Sequence, residues 1–159
     1  MLRPSMVSRV ALFTLSLLSG ATLSASKHAP TSCPVTRGNG YTPAGEPAGP
    51  NRYGTRALST ILYGRLEFRK GGAGFVLPDG SLKMKWPWWK EKEGNLTITG
   101  RRLDGSAPPL RADVACSDGY EMVPTYIIFQ TTGCWEVTGK VGNATLTFVT
   151  RVVKIGRGP

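Results

Sequence analysis

The chain has 159 residues, with 20 Lys+Arg against 10 Asp+Glu and a formal net charge of +10. Its length and 40% hydrophobic content fit one domain with a modest core and exclude wholesale disorder. One His and 10 carboxylates, beside 20 Gly and 12 Pro, leave little material for acid–base or metal chemistry.

The first nine residues are basic through Arg3 and Arg9, and Val10–Leu18 (VALFTLSLL) is almost wholly apolar. Small residues follow at Ser19, Gly20, Ala21, Ser24, Ala25 and Ser26. A basic start, an apolar run of about 7–15 residues and a small-residue exit describe a secretory signal peptide. The run is too short to span a bilayer, which takes about 20 apolar residues. Residues 1–26 are therefore read as a signal cleaved between Ala21 and Ser26. The mature protein is expected outside the cytosol, as a periplasmic, envelope-associated or extracellular protein in which disulfides persist.

Residues 27–54 are rich in Pro, Gly and polar side chains without periodicity, and read as an extended arm. From Ala57 onward, short runs of β character alternate with turns. Ala57–Leu62 comes first, then Gly64–Arg69, in which Leu66 and Phe68 share one face. Pro78-Asp79-Gly80-Ser81 is a turn, because Pro presets the first central dihedral and Gly tolerates the reversal. Leu82–Trp86, Asn95–Thr99 and Leu110–Val114 alternate cleanly, while Tyr126-Ile127-Ile128-Phe129 is continuously apolar, as in a strand covered on both faces. In Cys134–Thr138, Trp135 and Val137 face one way, and Ala144–Lys154 closes the chain after a turn at Gly142-Asn143. About eight strands at this spacing, with no helical segment after the signal, predict an all-β antiparallel sandwich over residues 55–156; a small closed barrel is the alternative. A buried Trp on a late strand beside a final hairpin favours the sandwich, of immunoglobulin-like type.

Phe75–Leu82 (FVLPDGSL), Trp86–Trp89 (WPWW) and Gly133–Gly139 (GCWEVTG) resemble stretches of exported bacterial proteins of unassigned activity that carry an Ig-like β-domain. The Gly-x-Trp-x-Val strand start also resembles the closing hairpin of bacterial Ig-like accessory domains. The resemblance runs from Cys33 to Gly156, with its most specific part around Cys134. It implies an Ig-like fold and export, and supplies no catalytic residues.

Cys33, Cys116 and Cys134 allow three single pairings. Cys33–Cys134 is the first expectation, because it pins a coreless arm to a strand on the face opposite Trp135. Closing about 100 residues is worth about 4–5 kcal/mol in the chain-entropy model. Cys116–Cys134, flanking the same apolar strand, is the rival. Without a Cys-x-x-Cys pair, and with His28 beside the processing site, neither a metal site nor a Cys–His nucleophile is expected, and no cofactor is implied.

Trp86-Pro87-Trp88-Trp89 sits among Lys83, Lys85, Lys90 and Lys92. If Pro87 ends the strand, Trp88 and Trp89 stand on a connecting loop. With Lys83, Lys85 and Lys90 they form a contact surface for an anionic envelope polymer, a membrane surface or an acidic protein. The bland reading is that these tryptophans cover an edge or end of the sandwich. Nucleic acid is not expected of an exported chain without a recognition motif. Most carboxylates lie in turns or beside Lys or Arg, which argues against the converging pair a glycosidase needs. The expectation is an exported, non-enzymatic Ig-like binding or accessory module. The alternatives are a purely structural exported domain without a ligand and, after it, a small secreted hydrolase.

Overall fold

The computed structural model describes residues 32–69, 71–116 and 121–156, and among these the chain forms ten strands and no helix. The expected signal segment and His28 lie outside the described residues. In chain order the strands are β1 (Arg52–Gly54), β2 (Leu58–Ile61), β3 (Arg65–Phe68), β4 (Phe75–Val76), β5 (Leu82–Lys90), β6 (Thr97–Arg102), β7 (Arg111–Val114), β8 (Glu121–Phe129), β9 (Gly133–Val141) and β10 (Ala144–Lys154). The two beyond the expected eight are β1, inside the arm, and β4. Each is too short to show a period.

One sheet runs β1-β2-β5-β8-β7, with β4 also paired to β5, and the other runs β3-β10-β9-β6. Every pairing is antiparallel except one. β3 lies parallel to β10, with Leu66 opposite Val152, the one parallel pair in an otherwise antiparallel sandwich.

The two sheets pack face to face as a sandwich. Alternation sends Leu82, Trp86 and Trp88 of β5 and Val123, Ile127 and Phe129 of β8 inward, toward Trp135 and Val137 of β9 and Phe148 of β10. Trp86 stacks on Phe148 at 5.1 Å between centroids, and Phe129 meets Trp135 edge-on at 5.7 Å. Burying one indole of roughly 200 Å² at about 25 cal/mol per Å² contributes about 5 kcal/mol before entropy is counted. Trp86 also donates its Nε1–H to Thr60 Oγ1 at 2.9 Å, so its polar handle is satisfied inside the core.

Pro87 does not end its strand. It pairs in register with Pro124 of β8, at the centre of the sheet. The carbonyl of Pro87 accepts from Thr60 on the β2 side, and that of Pro124 accepts from the Ala115 N–H on the β7 side. A strand residue's nitrogen lies on the same side as its carbonyl, so the two prolines form a non-hydrogen-bonded pair. The β5–β8 ladder therefore asks neither proline for the N–H it lacks, and Pro124 forgoes only the return bond to Ala115, just past the end of β7.

The arm belongs to the folded body. Cys33 is bridged to Cys134 with Cα atoms 5.4 Å apart, and Cys116 is a free, exposed thiol. Thr36 exchanges hydrogen bonds with Val149 of β10, its N–H donating to the carbonyl and its Oγ1 accepting from the amide. The arm then reaches the other sheet, where the Gly40 N–H donates to the Arg52 carbonyl and the Asn39 side chain holds Gly54. A Cβ at Gly38 would stand 2.7 Å from the Arg52 carbonyl oxygen, so a larger residue there would push the arm off the sheet edge.

Candidate functional site

β5 does not present its tryptophans together. Continuing past Pro87, it places Trp86 and Trp88 inward, both at 0% exposure, and turns Trp89 outward. The expected surface of Trp88, Trp89, Lys83, Lys85 and Lys90 is therefore corrected. Trp88 is a core residue packed against Phe148 at 5.9 Å, and Lys90 is 2% exposed. Lys83 and Lys85 do face outward with Trp89. Lys83, however, stands six residues away, or about 20 Å along an extended strand. There it pairs with Asp113 at 2.9 Å and lies 4.3 Å from the Tyr126 ring centroid.

Trp89 is instead joined by residues from the arm. Its Nε1–H donates to Glu46 Oε1 at 3.1 Å, and the Arg52 guanidinium lies over its ring at 4.6 Å from the centroid. Arg52, with a side chain 6% exposed, donates Nη2–H to Glu46 Oε2 at 2.9 Å and Nε–H to the Pro47 carbonyl at 3.1 Å. The Arg52 hydrogen bond, helped by that from Trp89, holds the Glu46 carboxyl below the usual range, against a smaller opposing effect of desolvation. Two charges and a strand indole thus lock the arm. The same contacts fix the indole in one orientation.

Beside this platform lies an open groove of about 940 Å³, lined by Pro43, Ala44 and Glu46 of the arm, by Trp89 and, on β8, Met122. Met122 is the register partner of Trp89 and is 45% exposed, an unusual degree for so apolar a side chain. Charge gathers at the rim. Arg56 pairs with Glu91 through Nε, and this hydrogen bond raises its already high pKa further. Lys92 donates to the Asn143 side-chain oxygen at 3.1 Å, and Lys90 lies at the base. Among the described residues no three His, Cys, Asp or Glu side chains come together as a metal-holding group.

Trp89 was legible as a candidate, but Glu46, Arg52, Arg56 and Met122 were not. Glu46 stands 43 residues before the indole it binds, so periodicity offers no signal for the pair. No family model matches the chain, and neither a curated protein nor a solved structure is significantly similar to it.

Proposed function

We propose that the protein is an exported, non-enzymatic Ig-like binding module of the cell envelope or extracellular space, which takes its ligand in the groove over Trp89. One observation carries this reading. A strand indole is fixed by Arg52 and Glu46 at the side of an open groove, next to an exposed Met122 that the fold leaves uncovered. Preorganised aromatic and apolar surface with a few oriented charges is what a binding site needs, since little ordering remains to be done on association. The Cys33–Cys134 bridge suits an oxidising compartment, and no helix among the described residues is long and apolar enough to cross a membrane. Among the described residues seven carboxylates are held in ion pairs with Lys or Arg, which supports the non-enzymatic reading.

The test is fluorescence titration of the intact protein with soluble envelope glycans and with anionic vesicles. The Trp86, Trp88 and Trp135 indoles are buried, so a response is expected from Trp89. It should vanish in Trp89→Phe and weaken in Met122→Glu. If no probe binds, or binding survives in both variants, the groove reading is overturned and the purely structural domain replaces it.

A further inference from the structure

We infer that the groove recognises a sugar bearing a carboxylate, a uronic-acid unit of an acidic polysaccharide. This rests on the groove being the binding site, and it follows from how the charges around Trp89 are already spent. Glu46 uses one carboxylate oxygen on the Trp89 N–H and the other on Arg52. It is neutralised in place and has little capacity left to repel an incoming anion. Glu91 is neutralised by Arg56, whose side chain is 85% exposed and engaged through Nε, so the terminal nitrogens of the guanidinium fork remain as donors. Lys92 at the rim donates to a neutral amide oxygen, Asn143 Oδ1, and belongs to none of the ion pairs among the described residues. The rim thus presents an excess of cationic donors around the same groove that Trp89 and Met122 line.

That pairing of features selects among anions. A sugar ring has a flat C–H face to lay on an indole and a thioether, and a uronic acid adds a carboxylate at its edge for Lys92 and Arg56. A bilayer is planar and cannot follow an indole that is half-buried behind the arm residues Pro43, Ala44 and Glu46. A flexible acidic peptide supplies charge without the flat face.

The experiment measures affinity of the full protein for an oligogalacturonate, for a neutral gluco-oligosaccharide of equal length and for polyaspartate, at low and high salt. The acidic sugar should bind about tenfold more tightly than the neutral one at low salt, with the gap narrowing as salt rises. Lys92→Gln should cost the acidic sugar about fivefold and the neutral one clearly less. Trp89→Phe should weaken both. Equal binding of the two sugars, with Lys92→Gln silent, overturns the acidic-sugar inference while the groove stands. Polyaspartate binding as tightly as the acidic sugar, unaffected by Trp89→Phe, also overturns it. If neither sugar binds, the groove reading falls with it.

Discussion

The six-membered ring of Trp88 occupies the space where a side chain at Gly139 would stand. A Cβ built on Gly139 would come within 2.5 Å of Trp88 Cζ3, so β9 can pass beneath the indole of β5 only as glycine. Gly139→Ala should therefore destabilise by about 1–3 kcal/mol through overpacking, although alanine suits an extended backbone better than glycine does. Denaturant unfolding should show a lower midpoint at unchanged slope. An unchanged midpoint would mean that the indole moves aside freely.

Pro87 and Pro124 face each other where no ladder hydrogen bond is required. Pro87→Val should keep the fold, with stability altered by less than about 1 kcal/mol. The neighbouring Val123, paired with Trp88, falls by alternation at a hydrogen-bonded position. Val123→Pro should cost about 3 kcal/mol or more. Chemical denaturation of the two variants side by side checks the difference; equal losses would refute the assigned pairing.

The Cys33–Cys134 bridge spans 101 residues of sequence and anchors the start of the arm. Replacing both cysteines with alanine should cost about 2–5 kcal/mol, measured as the shift in denaturation midpoint. Alkylation without reductant should label Cys116 alone among the three, because it is the free and exposed thiol.

Acid should loosen the arm at Trp89. The Glu46 carboxyl is lowered from 4.5, chiefly by the Arg52 hydrogen bond. A depressed folded-state pKa contributes stability that is complete above the unfolded value and lost as pH falls through the folded one. The Trp89 environment should thus hold constant through neutral pH and change only once pH falls below 4.5, the ordinary value of the carboxyl, read by fluorescence emission. Glu46→Gln should remove that transition and show the loosened spectrum at every pH. A variant that still titrates in this window would sink the assignment. Asp79 is lowered as well, first by the Ser81 hydroxyl, and its turn should fail in the same acid direction.

Much of the sandwich is written in period-2 alternation. Leu66 and Phe68, or Trp135 and Val137, face the core because neighbours two apart on a strand share a face, whatever packs above them. The same logic places Cys134 opposite Trp135, where a bridge to Cys33 pins the coreless arm, as the structure shows. Alternation also puts Trp88 with Trp86 and Trp89 opposite, provided the strand continues through Pro87. That proviso is where local reading stops. Whether a proline ends a strand depends on whether a neighbouring strand needs its N–H, and the register of β5 against β8 answers this from residues nearly forty positions away. The parallel pairing of β3 with β10 and the meeting of Glu46 and Arg52 on Trp89 are of the same kind. Composition and periodicity determined which side chains could be buried; only the packing of distant segments decided that Trp88 belongs to the core and Trp89 to the groove.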